Sequence, residues 1–209
     1  MRDNYLREKK LIFNMIFNMR EIIDLVFMTV IVGYIFMDMF NIDKHKDTTD
    51  YDPLNHYKYV KKGIDFTNLK FAILISAPAV IFHEMAHKFV SIGLGVAATF
   101  HASYFWLFIG AALKWLNTGF IFFVPGYVTH SALIPPLHSA AIAFAGPGTN
   151  LLLFLTAWAI LKSGKTLKPN TLKIVYLTKQ INMFLFFFNM IPLGFFDGAA
   201  VLKGVMSVF

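Results

Sequence analysis

The sequence predicts an all-α polytopic membrane protein, with about four to five transmembrane helices and a membrane-associated re-entrant or β-hairpin segment between two of them. Composition carries the first part of that expectation. Of 209 residues, 57% are hydrophobic and only 15% are charged, well below the roughly 25% charged residues of a soluble domain. Pattern carries the second part: the apolar residues gather into runs near the twenty or so that a helix needs to cross a bilayer. A third observation gives the fold a centre. His83-Glu84-Met85-Ala86-His87, an HExxH sequence, lies inside the apolar run at 69–95.

Taken in order, residues 11–19 are apolar but interrupted by Asn14 and Asn18, too short to span, and read as an interfacial lead-in. No small-residue cleavage signature follows, so no removable signal peptide is expected. Residues 22–40 read as the first transmembrane helix, with Asp24 and Asp38 near its ends and expected at the interfaces without a functional role. Residues 41–65 mix Asp43, Asp47, Asp50 and Asp52 with five lysines and read as a solvated loop, in which His45 and His56 face solvent. The run at 69–95 is the second membrane helix, with Pro78 expected to bend it before His83 and Gly93 and Gly95 marking its end.

Residues 99–138 are aromatic and apolar yet cut by Lys114, Asn117, Gly119, Pro125, Gly126, Pro135 and Pro136. The β-formers at 120–124, bounded by Gly119 and Pro125-Gly126, suggest a short strand or re-entrant hairpin; a pair of short broken helices is the other reading. Irregular backbone at membrane depth must be covered by protein or line a water-filled cavity. His101, His130 and His138 lie here and are not expected to be ligands. Residues 139–161 form a third helix containing Ala145-Gly146-Pro147-Gly148-Thr149-Asn150, where small residues admit a close neighbour and Asn150 can bond across the contact. After a polar turn, a fourth helix runs over 172–191, breaks at Pro192 and Gly194, and leads to Asp197-Gly198 and a terminal stub. The chain divides into an amino-terminal segment, 1–68, and a core, 69–209.

HExxH carries chemistry because four-residue spacing stacks two imidazoles on one helical face with a carboxylate beside them. In zinc hydrolases such imidazoles hold the ion, the ion acidifies water, and the glutamate takes the proton as water attacks a carbonyl. With 7 His and 3 Glu in the chain, the chance expectation for the motif is on the order of 0.003 matches. Two imidazoles and a carboxylate in an apolar span are also costly unless paired, by a metal or by groups from neighbouring helices. A hydrolytic zinc site takes three protein ligands. Asp197, the single acid after Glu84 and set where a helix breaks, is the candidate third ligand beside His83 and His87; a turn aspartate before Gly198 is the alternative. The absence of cysteine excludes disulfides and thiolate zinc sites. The formal net charge of +7 reads as lipid anchoring and topology signals, with no nucleic acid partner.

The helix-borne HExxH, the later AGPGTN, and Asn189-Met190-Ile191-Pro192-Leu193-Gly194-Phe195-Phe196-Asp197-Gly198 together resemble the site-2 protease family of intramembrane zinc metalloproteases over about residues 69–204. The resemblance implies one Zn2+ per chain held by His83, His87 and Asp197, with Glu84 as general base and Asn189 helping to hold the substrate carbonyl. It implies hydrolysis of peptide bonds within or near transmembrane segments of membrane-protein substrates. It also implies a membrane-associated β element at 99–138 that pairs with an unwound substrate by strand addition, and a multi-pass chain in the cell membrane with its site toward the cytosol. That orientation leaves lysine-bearing loops outside, against the positive-inside rule. Ala86 stands where the family often has Gly, and Ala199-Ala200 follow the Asp-Gly pair. Two other functions fit the residues: a non-proteolytic metal-binding scaffold, which would bind zinc and cleave nothing, and a small ion transporter, which would hold metal weakly and ignore chelators.

Overall fold

The structure, a computed structural model, describes residues 17–39, 64–119, 124–130 and 134–208. Helix α1 (Met19–Phe36) begins with a capping box: the Asn18 side chain accepts from the start of the helix while the Asn18 N–H donates to Glu21 Oε2 at 2.8 Å. Helix α2 (Phe66–Gly93) starts at Asp65, whose Oδ1 accepts from the N–H groups of Thr67 and Asn68 at 2.9 and 3.3 Å. It continues through Pro78 and ends at Gly93, followed by Gly95 in the left-handed region at φ +77°. Strand β1 (Ala98–Ala102), helix α3 (Tyr104–Trp115) and strand β2 (Gly126–His130) follow, then helices α4 (Pro136–Lys162), α5 (Pro169–Asn189) and α6 (Asp197–Met206).

With 28 and 27 residues, α2 and α4 are about 40 Å long at 1.5 Å per residue, and both are apolar enough to cross a membrane. Their outward faces show why an apolar solvent suits them. Leu74, Phe82 and Phe89 on α2 and Leu152, Leu155 and Trp158 on α4 are all exposed, large apolar side chains that water would not stabilise. The sequence also predicts spans at 22–40 and 172–191. The helices found there are α1 and α5, and charges at Arg20, Glu21 and Asp24 in α1 and at Lys173 and Lys179 in α5 dilute their apolar windows. Among the described residues only α2 and α4 meet the length and apolarity of a span.

Helix α4 is the hub, packed against α2, α5 and α6, while α1 packs on α2, β1 and α3. The core between α1, α2 and α5 is built from Met28, Val32, Ile35, Ala72, Ile75, Val80, Ile181 and Leu185, all buried, and Phe100 and Leu107 extend it to the β segment. Strands β1 and β2 form an antiparallel ribbon with Ala98 opposite His130, Phe100 opposite Val128 and Ala102 opposite Gly126. The strand predicted at 120–124 lies outside the described residues except for Val124; the ribbon is made instead by the segments on either side, with α3 between them. Asp24 departs from its expected place at an interface. It is 1% exposed, because its carboxylate accepts from the Ala102 N–H at 3.2 Å and from the Tyr104 hydroxyl. Asp38 is exposed and pairs with Lys114 at 3.1 Å.

Helix α6 is seated by a close backbone approach. A Cβ at Gly198 would collide with the Met190 and Ile191 carbonyl oxygens, so the residue after Asp197 has no room for a side chain. Gly198→Ala is expected to cost roughly 2 kcal/mol through overpacking, lowering the thermal unfolding midpoint in detergent by roughly 4–8 °C. An unchanged midpoint would show that the turn relaxes and that glycine is not required there.

Candidate metal centre

On α2 the four-residue spacing places His83 and His87 one turn apart, both buried, with ring centroids 4.7 Å apart and planes at 81°. Asp197, the first residue of α6, reaches them from the far end of the chain. The three nearest donor atoms make a nearly equilateral triangle: His83 Nε2 to His87 Nε2 is 3.1 Å, His83 Nε2 to Asp197 Oδ2 is 3.1 Å, and His87 Nε2 to Asp197 Oδ2 is 3.3 Å. Tetrahedral zinc with bonds of about 2.0–2.1 Å separates its ligand atoms by about 3.3 Å. Two imidazoles and a carboxylate at these spacings therefore fit a metal ion with one position left open.

The imidazoles are held in one tautomer by groups behind them. Asn150 Nδ2 donates to the Ala79 carbonyl at 3.1 Å and to Asn182 Oδ1 at 2.9 Å, so its amide oxygen must face His83 Nδ1, 2.6 Å away. That oxygen only accepts, which puts the His83 proton on Nδ1 and leaves the Nε2 lone pair for a metal. The Ile142 carbonyl does the same for His87 Nδ1 at 2.7 Å. Asn182 is in turn anchored by donating to the Thr178 carbonyl at 2.8 Å. Asn150 and Asn182 are fully buried and all these bonds lie between helices or within α5, so the orienting chain runs from α2 through α4 to α5. Gly146 explains part of the small-residue run on α4: a Cβ there would land on the ring atoms of both histidines.

A cavity of about 280 Å³ opens onto this triangle. His83, Glu84, His87, Asn189 and Asp197 all line it, so the five residues singled out by sequence share one space. Glu84 is buried at 4% exposure. The Asn189 amide donates to the Leu185 carbonyl at 2.9 Å, turned onto its own helix. Sequence reasoning missed the orienting role of Asn150 and Asn182, although their spacing as polar positions on apolar helices was the available signal. His130, not expected as a ligand, stands outside the triangle but lines the cavity from β2 and meets Ser91 Oγ at 3.3 Å through Nδ1. His101 bonds Thr129 at 3.2 Å on the ribbon, and His138 is exposed; neither joins the triangle.

The described residues thus form a mostly helical protein with two membrane-length apolar helices and a His-His-Asp group, its two histidines buried and its aspartate partly so, able to hold a metal. A Methanocaldococcus jannaschii protein named "Putative zinc metalloprotease" is 33% identical to this chain over 193 residues, covering 90% of this chain and 85% of that protein. The chain belongs to that protein's family of zinc metalloproteases. No family model matches the chain, and no solved structure matches it with significance.

Replacing Asn150 by alanine frees the His83 ring to rotate and to take the other tautomer. Zinc affinity of Asn150→Ala, measured by competition with a chromogenic chelator, is expected to fall roughly 10- to 100-fold. Equal affinity in the two proteins would remove Asn150 from the site.

Proposed function

We propose that this protein is an intramembrane zinc metalloprotease that hydrolyses peptide bonds within or near transmembrane segments of membrane-protein substrates. The observation that carries the reading is the cavity shared by the His83-His87-Asp197 group and Glu84, set on a membrane-length helix and bordered by a strand. His83, His87 and Asp197 would hold one zinc, which supplies Lewis acidity toward the substrate carbonyl and acidifies water. Glu84 takes the proton from attacking water and returns it to the leaving amine. Asn189, once its amide leaves the Leu185 carbonyl, donates to the substrate carbonyl as negative charge grows there.

Helical peptide bonds are dry and internally hydrogen-bonded, so a substrate has to be unwound before it can be cut. The ribbon offers a way to hold it so. Phe100 and Ala102 give their N–H groups to α1 instead of to β2, so by antiparallel alternation Gly126 and Val128, their partners in register, direct their backbone groups away from β1. Those two residues and His130 line the cavity, which suits addition of an extended substrate segment along β2. The partners implied are transmembrane substrates and the surrounding bilayer; the site is assigned to the cytosolic side of a multi-pass protein.

The test compares membranes of cells expressing the wild-type chain with those expressing Glu84→Gln, by quantitative proteomics of fragments cut inside transmembrane segments. Such fragments should accumulate only with the wild type, while both proteins keep one zinc per chain. Undiminished cleavage by Glu84→Gln would sink the mechanism, and a zinc-loaded wild type that yields no fragments would favour a metal-binding scaffold.

A further inference from the structure

Two carboxylates on α1 are buried where the reaction described above has no use for them. Glu21 is 3% exposed and Asp24 is 1% exposed. Three residues apart, they lie on one face of the helix, and that face meets the outer edge of β1. Glu21 Oε1 accepts from the Phe100 N–H at 2.7 Å and Asp24 Oδ2 from the Ala102 N–H at 3.2 Å. These are alternate residues, whose N–H groups point to the same side of a strand. The α1 carboxylates thus occupy the positions that carbonyl oxygens of a third strand would take, and two of the edge's N–H groups, those of Phe100 and Ala102, are already spoken for.

The same pair ties the ribbon to the metal helix. Lys88, adjacent to His87 and 1% exposed, donates to Glu21 Oε1, and the Tyr104 hydroxyl donates to Asp24 Oδ1. A buried lysine next to a metal ligand is costly unless paired, and its partner is the carboxylate that caps β1. Glu21 therefore links the turn carrying His87 directly to the strand whose ribbon partner borders the cavity. We propose that Glu21 and Asp24 are positioning residues. They seal the outer edge of β1 and fix the ribbon against α2, so that β2 alone presents a strand edge, at a set distance from the metal group. This rests on the protease reading for its consequence in catalysis, but the edge-sealing itself does not.

The test uses the full-length protein in detergent micelles with Asp24→Leu, which removes the acceptor at similar size, and Asp24→Asn, which keeps an acceptor for the Ala102 N–H. Zinc content, hydrogen–deuterium exchange and cleavage of fluorescein-labelled β-casein, an unfolded probe, are measured for each. In Asp24→Leu, exchange should rise in peptides covering 98–102 and 126–130 and stay unchanged in those covering 80–91, with one zinc retained. Its KM for casein should rise about tenfold, the scale of a lost hydrogen bond to a charged group, with kcat within about twofold of wild type; Asp24→Asn should stay near wild type in every readout. Unchanged exchange at 98–102 in Asp24→Leu overturns the proposal, as does loss of zinc and of kcat alike in both variants, which would mark a merely structural role. If the wild type itself leaves casein intact, the protease reading fails on that probe, and the exchange data alone decide the positioning claim.

Discussion

Three donor atoms, one each from His83, His87 and Asp197, are crowded to within 3.1–3.3 Å of one another in a largely apolar surrounding, an arrangement that a cation between them satisfies. Much of the fold can be read as what is needed to keep them there. Helix α2 supplies two donors through four-residue spacing, α4 brings the Asn150 oxygen and the Ile142 carbonyl to the backs of the rings, and Gly146 removes the side chain that would separate α4 from them. The break after α5 and the glycine at 198 let α6 begin close enough for Asp197 to reach across.

From that centre, polar contacts run in two directions through apolar packing. One direction passes through Asn150 and Asn182 into α5 and sets the tautomer of a ligand. The other passes through Lys88 and Glu21 to the ribbon. Buried polar groups of this kind seldom add net stability over apolar replacements, but they tolerate few alternative arrangements, because each unpaired partner is costly. Their value lies in geometry: ligand orientation on one side, the placing of a strand edge on the other.

The chemistry was more legible in the sequence than the architecture around it. His83, Glu84 and His87 are a contiguous motif, and Asp197 stands out as the one acid in the second half of the chain, so local signals sufficed for residues that turn out to share a cavity. The long helices were readable from their apolar runs, with ends within three residues of those of α4 and α5. The ribbon was not readable in place. Its strands have five residues each, too few for a clear alternation, and the outer edge of β1 is satisfied by carboxylates 78 and 79 residues earlier in the chain. For the same reason Asp24 looked like an interfacial charge. Near the end of an apolar run, nothing local distinguishes a carboxylate facing headgroups from one capping a distant strand. Asn150 was visible as a helix-contact residue, yet its role as the partner of His83 depends on a separation of 67 residues that only the folded chain closes.

Whether His83, His87 and Asp197 hold a metal can be read from zinc K-edge X-ray absorption on the purified protein. About one zinc per chain is expected, with a first shell of nitrogen and oxygen at about 2.0–2.1 Å, an outer-shell pattern of two imidazoles, and loss of one light-atom ligand in Asp197→Ala. A spectrum with one imidazole or three, a sulfur shell, or a first shell untouched by the Asp197 substitution would contradict this ligand set.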